Sequence, residues 1–239
     1  KKFVEIHILI IFNNRKKITK HEKKVIQKIL YKKKYNILYE KKLGIANVRN
    51  AYLNFLEKKN FDFCSFLDDD CLINKNFFLN HLKFILYKKC QIVTGPQIYL
   101  SKRKFFKVFE RYFKKGTKLR WASTNNVFFK RNIINKNTKF SNKVTKYGYG
   151  EDQLFFSQLA MKNNKILWNN NPVYEVIQKD RENLSWFLKR SVRYGLTGYL
   201  IDKELYGNFK GFFLNFFKIF FYIFLIIKNS FNIFFNPIK

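Results

Sequence analysis

An apolar run, Phe61 to Leu67, stops abruptly at three consecutive aspartates, Asp68, Asp69 and Asp70, and a helix-like stretch follows at 75–88. An apolar strand, a polar tip and a helix form the unit from which parallel sheets covered on both faces are built. The unit recurs upstream. Residues 3–12 are apolar and β-rich, and Ile18, Val25, Ile26, Ile29 and Leu30 then approximate helical spacing through a Lys-rich face. A short strand is predicted at 36–39, and after Gly44 the residues Ile45, Val48, Ala51, Tyr52, Phe55 and Leu56 mark an amphipathic helix. Downstream the pattern predicts a strand at 91–94 ending at Gly95-Pro96, a strand-like run at 122–129, and a helix opening at Gly150-Glu151-Asp152. Short strands at 166–168 and 173–177 and a helix at 183–194 complete it. The expectation is an α/β fold: a Rossmann-like, mostly parallel mixed sheet flanked by helices. No repeat is visible, and three prolines and nine glycines leave no linker that would split residues 1–205.

Two stretches are less regular. Residues 97–120 interleave Lys and Arg with Phe and Tyr and predict an amphipathic helix laid over the sheet, whereas 132–147 is a basic loop rich in Asn and Lys. The segment 206–239 is a hydrophobic appendage: Phe212 to Ile227 is apolar except for Asn215 and Lys218, and Phe231, Phe234 and Phe235 follow. At 1.5 Å per residue the first stretch covers ~24 Å against a ~30 Å hydrocarbon core. An interfacial or re-entrant helix with aromatic and lysine anchors fits it, as does a helix packed on a neighbouring domain or the start of a longer membrane segment. At the other end, Phe3 to Phe12 reads as a buried strand, because Asn13-Asn14-Arg15 offers no small-residue cleavage site.

Composition makes the aspartates conspicuous. Lys and Arg number 48 against 16 Asp and Glu, for a formal charge of +32, and five of those acids stand in two clusters. AT-rich coding bias accounts for part of the Lys excess, and attraction to anionic lipid or another polyanion for the rest. No RNP-like or zinc-finger signature accompanies the basic segments, so nucleic acid is not an expected partner. Cys64, Cys71 and Cys90 form no CxxC pair, and His7, His21 and His81 have no ligand spacing, which excludes a zinc knuckle or a disulfide framework. In parallel sheets ligands gather at the carboxyl ends of strands. Carboxylates crowded there raise one another's pKa unless a cation intervenes, and they suit Mg²⁺ or Mn²⁺ shared with a phosphate. A helix N-cap by Asp, or by Asn74, is the alternative. Glu151 and Asp152 likewise read either as first-turn acids favoured by the helix dipole or as a general base placed opposite a metal. By themselves these patterns also suit a phosphohydrolase or a polymerase.

Six segments resolve the choice. FLDDDC at 66–71, GIANVRNAYL at 44–53, VTGPQ at 93–97, STNNVFFKR at 123–131, GYGEDQLFF at 148–156 and the stretch from Glu175 to Gly195 stand in the order and spacing of bacterial family 2 glycosyltransferases. The chain most resembles exopolysaccharide and succinoglycan-type glucosyltransferases, over nearly all of residues 5–200. The resemblance implies a GT-A fold and inverting transfer of a sugar from a nucleotide diphosphate, usually UDP, to a hydroxyl of a glycan or lipid-linked acceptor. It implies a location at the cytoplasmic face of the plasma membrane, peripheral or anchored through the C-terminal segment. By position, Asp68 and Asp69 would hold the nucleotide sugar, and Asp70 with Asp68 the Mn²⁺ or Mg²⁺. Arg49 and Asn50 would face the nucleotide, and Asp152, beside Glu151, would be the catalytic base. Thr124, Asn125, Asn126 and Trp186 would border the donor sugar or acceptor, while Arg190 and Arg193 would serve the diphosphate. Two departures accompany the resemblance. EIHILIIFNN at 5–14 aligns with the family's second strand, so the first strand and its helix are missing from this chain. The family's base-contacting Asp is Asn13, which is neutral but still able to hydrogen-bond a base. The alternatives are a truncated inactive homologue or a basic module that binds nucleic acid or anionic lipid.

Overall fold

Strand alternation places the core on both faces of one sheet. In the computed structural model, which describes residues 4–15, 17–145 and 150–235 (225–235 by backbone alone), the central strands are β3 (Phe63–Phe66), β5 (Ile92–Thr94), β7 (Lys118–Leu119), β8 (Val127–Lys130) and β9 (Ile166–Trp168), in the order β3-β8-β5-β9-β7. Val127 and Phe129 of β8, Ile92 of β5 and Ile166 of β9 join one buried cluster. Their neighbours Phe128, Val93 and Leu167 join the cluster on the opposite face. A period of two with both faces covered is what continuous apolar strands require. Helix α2 (Ile45–Glu57) covers the first face with Ala46, Leu53 and Leu56, together with Phe155, Phe156 and Leu159 of α4 (Glu151–Met161). Helix α3 (Phe77–Tyr87) covers the second with Phe84 and Ile85.

β1 (His7–Asn13) and β2 (Lys34–Glu40) pair in parallel across α1 (Lys20–Ile29), which starts at a capping box formed by Thr19 and Glu22. β4 (Cys71–Ile73), β6 (Gln97–Leu100) and β10 (Val173–Val176) form a further sheet in the order β4-β10-β6. Strand direction is more mixed than the βα alternation suggests. β1–β2, β5–β9 and β6–β10 are parallel, whereas β8 is antiparallel to β3 and β5, β7 to β9, and β4 to β10. No crossover-length helix lies between β5 and β8, so nothing forces β8 to return in the parallel sense.

The amphipathic helix expected at 97–120 is absent. That segment comprises β6, a 3₁₀ turn at Lys104–Phe109, an extended stretch and β7. Tyr99 and Phe106 bury against Ile177, with Phe105, Phe109 and Trp186 packed around them. β6 hydrogen-bonds β10, a strand far along the chain, and this pairing overrides the local pattern. The run 122–129 also divides, into a 3₁₀ turn at Thr124–Asn126 and β8. The helix predicted at 183–194 extends further, as α5 (Leu184–Tyr206). Gly207, at φ +83°, then turns the chain into α6 (Asn208–Phe235). No helix among the described residues is long and apolar enough to cross a membrane. Lys1 to Phe3, Tyr147 to Tyr149 and the side chains of Phe231, Phe234 and Phe235 lie outside the described residues.

Gly95 ends β5 where only glycine fits. A Cβ there would lie 2.5 Å and 2.6 Å from the carbonyl oxygens of Asn171 and Asn169, in the loop after β9.

Candidate active site

The three aspartates form the turn between β3 and β4, closed by Cys71 N–H donating to the Asp68 carbonyl at 3.2 Å. They cap no helix: the N-cap position of α3 is Asn76, whose side chain makes no capping bond. Asp69 is exposed, and Asp68 and Asp70 are half-buried. Arg49, buried on α2, ties this turn to the start of α4. Its Nη1 donates to Glu151 Oε1, its Nη2 lies 4.0 Å from Asp68 Oδ1, and its guanidinium sits 5.7 Å from the Phe140 ring centroid. Gly150, at φ +105°, begins α4 against Thr197 of α5. The consecutive acids of α4 then face different surroundings. Glu151 is buried, with Oε2 lacking a partner. Asp152 is half-buried, accepting from Gln153 N at 2.7 Å and Thr124 N at 3.4 Å.

Acidic side chains cluster here in a protein that has a large excess of positive charge. Burial pushes Asp68 up to about 6; Arg49 opposes this, and Asp70, Asp152 and Asp69 add repulsion. Burial likewise raises Glu151 against the pull of Arg49. Glu175 on β10 is pushed up to about 7 by burial, opposed by Arg190 and reinforced by Asp70 and Asp68. It accepts from Gln97 Nε2 and lies 3.9 Å from Arg190 Nη1. Among the described residues no three His, Cys, Asp or Glu side chains gather closely enough to hold an ion unaided. Asp68 and Asp70 nevertheless offer hard oxygen donors whose mutual repulsion a divalent cation would relieve, and phosphate oxygens of a ligand would complete its shell. The donor set therefore fits Mg²⁺ or Mn²⁺.

The remaining sequence candidates separate into two kinds. Arg190 on α5 stands in an aromatic cage, its Nη2 donating to Tyr99 Oη at 3.0 Å and its Nε to Tyr194 Oη at 2.8 Å. The guanidinium lies 5.0 Å from the Trp186 ring centroid. Arg193 follows on the same helix, partly exposed. The amide candidates hold backbone. Asn13, at the tip of β1, donates to Lys42 O at 2.8 Å and accepts from Gly44 N at 3.0 Å. Asn50 clamps Phe140 by both its N–H and its C=O, at 2.8 Å and 2.9 Å. Asn126 is fully buried, donating to Pro96 O and Asn171 O and meeting His81 Nε2 at 3.1 Å. Thr124 and Asn125 are buried beside it, and Asn125 Oδ1 has no partner.

Sequence reasoning missed four charged or hydroxyl groups here: Glu175, Tyr99, Arg111, which stacks 3.8 Å over Trp121 and feels Asp152, and Arg181, 4.0 Å from Asp70. The signal for Glu175 was a lone acid inside the apolar strand VYEV, in a chain where acids are scarce. Two surface hollows, one lined by Asn80, Lys83, Tyr87 and Lys115 and another by Lys58, Asn60 and Arg131, include none of these site acids.

This arrangement of sheets flanked by helices is the mixed α/β fold expected from the sequence. The chain is similar in structure to TarS of S. aureus, with a TM-score of 0.56 at 14% identity over 84% of this chain and 39% of that one. It is also similar to TarS 1–349 in complex with UDP-GlcNAc, with a TM-score of 0.57 at 14% identity over 84% of this chain and 66% of that one. For TarS 1–349 in complex with UDP the TM-score is 0.51 at 14% identity, over 82% and 65%. This chain thus spans under two thirds of either form's length. No family model matches the sequence, and no curated protein does. At this identity the likeness is one of fold.

Proposed function

We propose that the chain is an inverting glycosyltransferase of the family 2 type, moving a sugar from a UDP-linked donor to a hydroxyl of a glycan or lipid-linked acceptor. The observation that carries this reading is the convergence of Asp68, Asp152 and the Arg49–Glu151 pair at the ends of the central strands. The UDP and UDP-GlcNAc complexes of a protein of the same fold support the choice of donor class. Asp68 and Asp70 would hold the divalent cation, which when bound supplies positive charge to the donor diphosphate. Asp152 takes the proton from the acceptor hydroxyl while that oxygen bonds to the anomeric carbon. The bond from that carbon to the diphosphate oxygen breaks, and its electron pair leaves with the nucleotide. One displacement with no enzyme nucleophile inverts the configuration. Arg190 and Arg193 lie on the helix assigned to the leaving diphosphate, where guanidinium groups stabilise developing charge. Arg49 holds Glu151 beneath the site and so orients the first turn that carries Asp152.

The test is a thermal-shift panel of nucleotide sugars with and without Mn²⁺. A UDP-sugar should stabilise the protein only with metal, and Asp70→Ala should abolish that shift. Asp152→Asn should keep donor binding and lose about 10²–10⁴-fold in transfer rate. Equal UDP affinity with and without metal would remove the metal assignment.

A further inference from the structure

Arg49, Arg181 and Arg190 each have a carboxylate of the recess within 4.0 Å. Arg111 differs, because among the described residues its side chain makes no ion pair and no hydrogen bond. It lies in the extended stretch between the 3₁₀ turn at Lys104–Phe109 and β7. The residue before it fastens that stretch: Glu110 Oε1 accepts from Tyr99 N on β6 at 2.9 Å, and Oε2 accepts from Tyr112 Oη at 2.5 Å. Glu110 has extended backbone, at φ −72° and ψ 140°, so the next side chain leaves the chain on the other side. There the Arg111 guanidinium lies over Trp121, with Cζ 3.8 Å from the ring centroid. Trp121 stands three residues before Thr124, whose N–H donates to Asp152 at 3.4 Å. Burial lowers the Arg111 pKa, and Asp152 is the carboxylate that opposes this. A guanidinium withdrawn from water without a fixed counter-charge is costly, and one held flat on an aromatic face is already oriented for an incoming anion.

We propose that Arg111, held on Trp121, binds an anionic group, a phosphate or a carboxylate, carried by the acceptor whose hydroxyl meets Asp152. Both groups present paired oxygens that match the planar fork of a guanidinium, and the indole face keeps that fork in one orientation. The acceptor is then an acidic saccharide or a polyol phosphate and not a neutral sugar. Its anion takes the counter-charge position that the protein leaves open at Arg111, and this sets which hydroxyl comes to Asp152. The side of the recess selects the acceptor over the donor. Arg111 and Trp121 stand by Asp152 and Thr124, whereas the donor diphosphate has Arg190, Arg193 and the cation of Asp68 and Asp70. The assignment rests on the transferase reading, in which Asp152 takes the acceptor proton, while the existence of an anion site at Arg111 does not.

The experiment is titration calorimetry on the full chain with saturating UDP and Mn²⁺, which close the donor site to other phosphates. Glycerol 3-phosphate, glucose 1-phosphate, glucose 6-phosphate and glucuronate are compared with glycerol and glucose. At least one anionic probe should bind about ten-fold or more tightly than its neutral parent. Arg111→Gln should remove that preference, and Trp121→Leu, which keeps the charge but not its platform, should weaken it several-fold. Should Arg111→Gln fail to fold, Arg111→Lys carries the test: it keeps the charge without the fork, and the preference should drop several-fold. With a UDP-sugar in place of UDP, the Arg111 variants should raise KM for the anionic acceptor; a fall in kcat at unchanged acceptor KM would make Arg111 a positioning residue for Asp152 and overturn the proposal. The proposal is also wrong if no anionic probe outbinds its neutral parent, or if Arg111→Gln weakens UDP instead, which would give the guanidinium to the donor. An anionic preference that depends on Arg111 in a chain that does not bind UDP would overturn the transferase reading and leave the anion site standing.

Discussion

Two buried carboxylates organise this chain, and they differ in what surrounds them. Glu151 is paired with Arg49 inside the α/β body, with side chains 3% and 10% exposed, so both partners are largely shielded from water. Asp202 is paired with Lys218 between two helices, and its lysine is 51% exposed. The first pair joins α2, α4 and the aspartate turn, fixing how the acidic side chains sit relative to one another. The second gives the lysine and the asparagine of an apolar helix a common carboxylate partner on the neighbouring helix. The comparison teaches that a scarce acid in a basic chain is placed where a cation has to be held in one position.

The largest effect should come from breaking the first pair. Arg49→Met leaves Glu151 buried and uncompensated and should destabilise the fold by about 3–5 kcal/mol in urea titrations. Adding Glu151→Gln should restore part of that loss. Should Arg49→Met cost no more than a surface substitution, the pair does not hold the site. Lys218→Met alone should cost less, about 1–2 kcal/mol, because water can reach the place its ammonium leaves. Hydrogen exchange should rise in α5 and α6 while β5 and β8 stay protected; uniform loosening would place this pair in the main core.

The smallest effect is the pH dependence of the recess. Asp68 and Glu175 have folded-state pKa values of about 6 and about 7, above their ordinary values of 3.8 and 4.5. Between those limits the folded state binds more protons than the unfolded one, so stability must fall as pH rises through that window. Their contribution is greatest near pH 4 and lost above pH 7. Glu175→Gln should flatten the fall in melting temperature between pH 5 and 8, and Mn²⁺ should oppose it at the alkaline end. A melting temperature that rises across that range in the wild-type chain and is unchanged by Glu175→Gln would contradict the burial assigned to these acids.

The βα units from β1 to α3 were legible in the sequence because each apolar run has its period and its polar tip within a few residues. The aspartate turn was legible for the same reason. Residues 97–120 were not, since basic and aromatic side chains alternate there in a pattern that suits a helix or an extended edge equally. Pairing of β6 with β10 decided it. Asn13, Asn50 and Asn126 stood in motif positions, but only the folded chain reveals that their amides hold backbone at Gly44, Phe140 and Pro96. Glu175 opens one of the motif segments but received no role, because an acid in a short strand has no local partner to announce it. Gln97 and Arg190 reach it from β6 and α5.

By itself the sequence determined that Asp68 to Asp70 stand at a strand tip and that Glu151 and Asp152 open a helix, because both facts follow from short-range apolar periodicity. It did not determine which of the adjacent acids is buried. Successive residues on a helix point about 100° apart, so one of such a pair turns inward and the other toward the groove. The choice falls to whatever packs alongside, and here Arg49, brought from α2 across the core, draws Glu151 inward and leaves Asp152 half-buried beside Thr124.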